Sequence, residues 1–133
     1  MTSRCLVILL VITSISLVEI SCQKGPGIGG EASISGKVTG ITYDKTFNVK
    51  LDSGGIGNLQ VNILYGEDVA IDASQRTSYD GSFDFQYLRE GHYTVFTYSR
   101  SHKTNAVDSA VVLNVSITGK KQVVNLPAIK IYH

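Results

Sequence analysis

The side chains that could act in catalysis or hold a metal are scattered along this 133-residue sequence. The three histidines occupy a predicted turn, a predicted loop and the last position, as His92, His102 and His133. A histidine acts as a general base or a metal ligand only when a second group lies within hydrogen-bonding or coordination distance. No Ser/His/Asp or Cys/His set can be assembled from these positions. We therefore predict no catalytic residue, no bound metal and no cofactor.

Six of the aspartates lie in or beside predicted turns and loops, where a carboxylate can cap the turn with its own oxygen atoms. None of them forms the D-x-D-x-D spacing of a calcium-binding loop. Turn capping and solvation account for all six, which are Asp44, Asp52, Asp68, Asp72, Asp80 and Asp84.

Residues 1–21 have the pattern of a signal peptide. Arg4 precedes an uninterrupted apolar run of 13 residues, Leu6 to Val18. As a helix this run would reach about 20 Å, whereas the hydrocarbon core of a membrane is about 30 Å thick. A buried core helix is the alternative, but the run begins almost at the amino terminus and follows a positive charge. We predict that the segment directs secretion across the inner membrane and is then removed.

The two cysteines lie near the two ends of this segment. Cys5 would be discarded with the signal peptide. Cys22 follows Glu-Ile-Ser and precedes a polar, glycine-rich run, which resembles the lipobox of bacterial lipoproteins, although Glu19 stands where leucine is commonest. The resemblance implies that Cys22 becomes the lipidated first residue of the mature chain. Ordinary cleavage that leaves a free thiol is the alternative.

The stretch QKGPGIGGE, residues 23–31, has four glycines and one proline in nine positions. These residues have too few side-chain atoms to pack against a core, so residues 22–31 are predicted to form a flexible tether. Gly25, Gly27 and Gly30 match the G-x-G-x-x-G pattern of dinucleotide loops. That loop requires a strand before it and a helix after it, and here a signal peptide precedes and a strand follows. We reject the dinucleotide interpretation.

From Ala32 onward the apolar residues recur at every second position, which is the period of a half-buried strand. Turn residues separate these runs at intervals of about eight to twelve positions, as in β-sandwiches. We predict an all-β antiparallel sandwich of seven or eight strands over residues 32–133. The pattern predicts a turn at 52–55, an edge or bulge at Pro127, and inward faces for three sets of residues: Phe47, Val49 and Leu51; Val69 and Ile71; Phe83, Phe85 and Tyr87.

The stretch TSYDGSFDFQYLREGHYTV, residues 77–95, sets two glycine corners ten residues apart. Asp-Gly and Glu-Gly suit tight turns, because glycine supplies positive φ and the acid can cap the turn. The whole pattern, D-G-x-F-x-F-x-x-L-x-x-G-x-Y-x-V, resembles the central hairpin of carboxypeptidase-regulatory-like domains of the transthyretin (prealbumin-like) type. It is carried by Asp80, Gly81, Phe83, Phe85, Leu88, Gly91, Tyr93 and Val95, with ISGKVTG, Ile34 to Gly40, as the first strand.

The resemblance covers about residues 32–131. It implies a prealbumin-like (Ig-like) sandwich in a small Bacteroidota-type lipoprotein, and it implies no particular function, since this fold hosts many. Relative to the shorter family pattern, the segment from Tyr43 to Asn58 is predicted to be an insertion. Related 5-hydroxyisourate hydrolases end in Tyr-Arg-Gly-Ser, whereas this chain ends in AIKIYH, so that activity is not expected.

Related pilin-type domains join a first-strand lysine to a last-strand asparagine with the help of a buried acid. Lys37 and Asn125 lie in suitable predicted strands, but Thr97 stands where the acid belongs. We predict a solvated Lys37 and a turn-side Asn125, without such a bond.

Phe96 and Tyr98 form the candidate binding surface. If Tyr93 and Val95 face inward, these two aromatics must face outward on the same strand, because side chains alternate. Their rings could dock another protein or stack on sugar rings. The alternative is that the segment 43–58, or a third layer, covers them.

The net charge of +1 and the absence of a charged block exclude nucleic acid as a predicted partner. The sequence thus predicts a non-catalytic, lipid-anchored protein of the cell envelope, located in the outer membrane. Its β-sandwich module is predicted to bind an envelope protein or to serve a structural role. An accessory glycan-binding lipoprotein is the alternative.

Overall fold

The computed structural model describes residues 24–46, 48–100 and 109–132. Every regular element in these ranges is a β-strand, and the strands form two sheets, which confirms the predicted all-β sandwich. The strands are β1 (Ile28–Tyr43), β2 (Lys50–Gly55), β3 (Gln60–Tyr65), β4 (Ala73–Arg76), β5 (Ser82–Leu88), β6 (Gly91–Ser99), β7 (Ser109–Ile117), β8 (Val123–Asn125) and β9 (Ile129–Tyr132). Cys22 and the predicted signal peptide, like Phe47, His102 and His133, lie outside the described residues.

The first sheet is built around the long strand β1. The first half of β1 pairs with β5 on one side and β8 on the other, and its second half pairs with β2 and β9. β2 and β5 run antiparallel to β1, but β8 and β9 run parallel to it. The sheet is therefore mixed, whereas the prediction was a purely antiparallel one. Pro127 separates β8 from β9, as its missing N–H group requires.

The second sheet is antiparallel, in the order β4-β3-β6-β7. Its pairing places Val95 beside Ile63 and Leu113, so that one face of each strand points to the first sheet. The core between the sheets consists of the fully or nearly fully buried apolar residues Ala32, Ile34, Val38, Val61, Ile63, Phe83, Phe85, Leu88, Tyr93, Val95, Ile117, Ile129 and Ile131.

The first glycine corner lies where β2 and β5 meet along β1. Gly81 has a φ of 87°, and a Cβ atom there would lie 2.3 Å from the carbonyl oxygen of Val38. The Val38 N–H group donates to the Gly81 carbonyl at 2.8 Å. Asp80 caps the turn by accepting from the Ser82 N–H group at 3.1 Å. The corner therefore requires glycine for both its conformation and its close approach to β1.

The segment predicted as a tether packs on the sandwich in its described part. β1 begins at Ile28, four positions before the predicted start of the domain. The Gly27 N–H group donates to the Tyr93 hydroxyl at 2.9 Å, and Arg89 Nε donates to the Gly25 carbonyl at 2.9 Å. Backbone bonds explain the difference, because a glycine-rich chain can pair through its N–H and C=O groups without side chains.

Two predicted apolar faces are wrong. Val49 and Leu51 are exposed, and residues 52–55 belong to strand β2 instead of a turn. Val69 is almost fully exposed and Ile71 is half exposed, both before β4, which consists only of the polar, edge-like run that follows. Alternation shows which residues share a face, but it does not show whether another layer covers that face.

Candidate functional site

The outer face of the four-stranded sheet carries the aromatic pair that the sequence singled out. On β6, Tyr93, Val95 and Thr97 are buried between the sheets, so Phe96 and Tyr98 point away from the core. Phe96 is partly buried, whereas 51% of Tyr98 is exposed. The predicted alternation along this strand is confirmed.

The two rings meet edge to face. Their centroids are 5.7 Å apart and their planes stand at 88°. Val112 of β7 lies opposite Phe96 and is 50% exposed, which extends the apolar surface to the neighbouring strand. Two perpendicular rings cannot form one flat platform, so the surface has a ridge. A ridge of this kind fits the side chains of a protein better than the broad face of a sugar.

In its described part, the segment predicted as an insertion does not cover this surface. From Lys50 to Gly55 it forms β2, which pairs with β1 in the opposite sheet. Asp44 orders the preceding turn, because its Oδ1 accepts from the N–H groups of Asn48 and Val49 at 3.0 and 3.1 Å. The hydrogen bonds from Thr46 and Val49 hold the pKa of Asp44 below its usual value. The aspartate thus has the turn-capping role predicted for it.

A buried amide lies on the outer face beside Phe96. Asn62 of β3 is the cross-strand neighbour of Phe96, and it is 1% exposed although its strand neighbours Val61 and Ile63 point inward. Its Oδ1 accepts from Gln60 Nε2 at 2.8 Å, while its Nδ2 has no hydrogen-bond partner in the ranges that the structure describes. An unpaired buried donor costs about 1–3 kcal/mol, so this face contains a polar group that its own sheet does not satisfy.

A groove of about 1020 Å³ lies along β5, where the sequence indicated no site. Its lining includes Ser35, Asp84, Gln86 and Asn125, and the exposed Tyr87 stands at its rim. Tyr87 was predicted to face inward with Phe83 and Phe85, but it is 67% exposed with a φ of 60°. Leu88, which the hairpin pattern had already included, enters the core. The three-residue spacing from Phe85 to Leu88 could have revealed this, because two inward residues on a regular strand are an even number of positions apart.

Lys37 and Asn125 are each engaged with a different residue. Lys37 Nζ lies 3.8 Å from Asp80 Oδ2, and the Asn125 Oδ1 accepts from Ser35 Oγ at 2.6 Å. The bonds from Ser82 hold the pKa of Asp80 below its usual value, with Lys37 as a smaller cause. Lys37 is therefore an exposed cation that pairs with a turn carboxylate.

The remaining candidates for chemistry do not converge. His92 Nδ1 lies 2.8 Å from Ser116 Oγ on the neighbouring strand. Among the described residues, no group of three or more histidine, cysteine or acidic side chains could hold a metal ion. In the same ranges no helix has the length and apolar character that a membrane crossing requires.

Comparisons with known proteins add little to this description. No family model matches the chain, and no curated protein matches its sequence. One solved structure that it resembles is a candidate carbohydrate-binding protein from Pseudomonas aeruginosa, at 12% identity and a TM-score of 0.43. The likeness covers 80% of this chain and 91% of that one.

Proposed function

We propose that this chain is a non-catalytic module of the cell envelope, held at a membrane by a lipid on Cys22, which docks an envelope protein through the outer face of its four-stranded sheet. The observation that carries the proposal is the outward pair Phe96 and Tyr98, which lies on a sheet face beside the half-exposed Val112. The same proposal includes the relationship of this chain to prealbumin-like domains and its location in the outer membrane.

The exposed part of the aromatic ridge favours binding over a purely structural role. Tyr98 keeps half of its surface in water, so the free energy of folding gains little from that half. Tyrosine is enriched at protein interfaces, because one ring buries a large area at a small cost in conformational entropy. The unsatisfied Asn62 amide supports the proposal, because a partner that shifts Phe96 could offer it an acceptor.

The Tyr98→Ser variant separates docking from stability. We expect it to lower the free energy of unfolding by only about 1–2 kcal/mol and to leave the fold intact, because half of the ring is exposed and the other half packs on Phe96. We expect the native complex of the chain, captured from intact cells by a reversible crosslinker, to be lost. Tyr79→Ser is the matched control, since Tyr79 is 98% exposed and lies in the turn before β5. Equal yields of complex from both variants would contradict the proposed surface.

The lipid anchor is tested separately. We expect a palmitate analogue to label the wild-type chain and not the Cys22→Ser variant. Protease treatment of whole cells then reports whether the module faces outward or toward the periplasm. Absence of label on the wild type would exclude the anchor and leave the docking proposal intact.

A further inference from the structure

We infer that the groove along β5 binds a neutral oligosaccharide, with the ring of Tyr87 stacked on a sugar ring and the carboxylate of Asp84 accepting from sugar hydroxyls. This goes beyond the proposed function, because the groove runs along β5 of the first sheet, reaches only β3 and β4 of the second, and involves neither Phe96 nor Tyr98.

The first argument is the backbone of Tyr87. Ala32 pairs with Leu88 and Ile34 pairs with Phe85, so one residue of β1 faces two residues of β5 in a β-bulge. The bulge puts Tyr87 at a φ of 60°, a left-handed conformation that a bulky side chain rarely adopts. Glycine or asparagine would form the same bulge with less strain.

The ring of Tyr87 makes too little contact within the fold to offset this strain. It is 67% exposed, and the core position that the bulge serves is filled by Leu88, which is 1% exposed. Strained residues of this kind concentrate at ligand sites, where the side chain has a use that folding does not supply. The bulge thus places an exposed aromatic ring among the residues that line the groove.

The second argument is the set of polar groups on the groove floor. Asp84, Ser35 and Asn125 form a row across three neighbouring strands, which spans about 10 Å at roughly 4.8 Å per strand. One oxygen of Asp84, Oδ1, is buried and has no hydrogen-bond partner within the described part of the chain. The other, Oδ2, accepts from Gln86 Nε2 at 2.5 Å.

These groups complement hydroxyl groups rather than charges. Gln86 is exposed, so its amide can swing away and leave the Asp84 carboxylate to accept two hydroxyl protons. The Asn125 amide, whose Oδ1 is held by Ser35, offers its Nδ2 as a donor. A ligand with adjacent hydroxyls can both donate to the carboxylate and accept from the amide.

The charge and the shape of the groove restrict the class of ligand that it can bind. The two cations of the lining are already engaged, Lys37 with Asp80 and Arg76 with the carbonyl and side chain of Asn58. The carboxylate of Asp84 therefore disfavours an acidic ligand. The groove is open, unlike the enclosed pockets that hold small molecules, and its lining combines polar side chains with apolar ones such as Phe83, Phe85 and Leu126. It therefore fits an extended chain that presents both hydroxyl groups and apolar ring faces.

The test uses the purified full chain and immobilised polysaccharides: starch, xylan, mannan and galactan as neutral probes, and polygalacturonate as the acidic probe. We expect binding to at least one neutral polysaccharide. We expect Tyr87→Gly to weaken that binding at least about tenfold, while its melting temperature stays level or rises by a few degrees. Tyr87→Phe, which keeps the ring, should bind like wild type.

Two further variants complete the test. Asp84→Asn should weaken binding at least about tenfold, because a carboxylate accepts stronger hydrogen bonds than an amide. Tyr98→Ser should bind the polysaccharide normally, which keeps this inference separate from the proposed docking surface. The inference is overturned if no neutral polysaccharide binds, if only polygalacturonate binds, or if Tyr87→Gly binds like wild type.

Discussion

Replacing Tyr93 with phenylalanine removes one hydroxyl group that joins the amino-terminal segment to the second sheet. This hydroxyl accepts from the buried Gly27 N–H group at 2.9 Å and donates to the Arg89 carbonyl at 2.7 Å. The ring itself is 1% exposed and keeps its packing in the variant, including its edge contact with Tyr65. The change therefore isolates two hydrogen bonds in the core.

The expected loss follows from these two bonds. Each contributes about 1 kcal/mol net, and leaving a buried N–H group unpaired costs about 1–3 kcal/mol. We expect Tyr93→Phe to lower the free energy of unfolding by about 2–3 kcal/mol, measured by urea denaturation at an unchanged m value. The Gly27 amide should also exchange with deuterium faster than in wild type. Tyr79→Phe is the control, because its ring is 98% exposed.

The same variant changes the alkaline limb of the stability curve. Burial raises the pKa of Tyr93 above 10.0, its ordinary value. Its contribution is therefore present below about pH 10 and is lost as the pH rises through the folded-state pKa. Tyr93→Phe should show a shallower alkaline decline, and part should remain because burial also raises the pKa of Tyr65. If Tyr93→Phe lowers the free energy of unfolding by less than about 0.5 kcal/mol and Gly27 exchange is unchanged, the amino-terminal segment is not held to the sandwich by this hydroxyl.

Two other variants test the corner and the outer face. Gly81→Ala should lower the free energy of unfolding by at least about 2 kcal/mol, because its Cβ would lie 2.3 Å from the Val38 carbonyl at positive φ, whereas Gly54→Ala, with open space around it, should change it little. Urea denaturation measures the free energy of unfolding of both glycine variants, and an equal decrease in the two would show that the corner tolerates a side chain. Asn62→Leu should raise the melting temperature by several degrees, because it replaces the unpaired Nδ2 donor with a methyl group on a side chain of the same branching, and a lowered melting temperature would mean that the amide is satisfied.

The sequence predicted the parts of the fold that depend on local spacing. Gly81 is a corner because only glycine allows its φ and its contact with β1, and both requirements leave a visible Asp-Gly signal. The directions of Tyr93 and Phe96 follow from the period of a strand. Exposure of Tyr98 could be predicted for the same reason, although the angle between its ring and that of Phe96 could not.

The features that the sequence did not predict depend on contacts distant along the chain. Val49 and Leu51 alternate like core residues, but the other sheet does not cover them. Gly27 is bound to the core through a hydrogen bond to Tyr93, 66 residues away. Because glycine has no side chain, no sequence pattern predicts this contact. The row of Asp84, Ser35 and Asn125 exists only because β1 pairs with β5 and β8 at once.

The most direct test of the proposed function is photo-crosslinking in intact cells from a benzophenone amino acid placed at position 98. The account predicts one discrete crosslinked species that contains a second envelope protein, and no such species when the probe stands at position 79. The same species from both positions, or none from position 98, would contradict docking through the outer face of the four-stranded sheet.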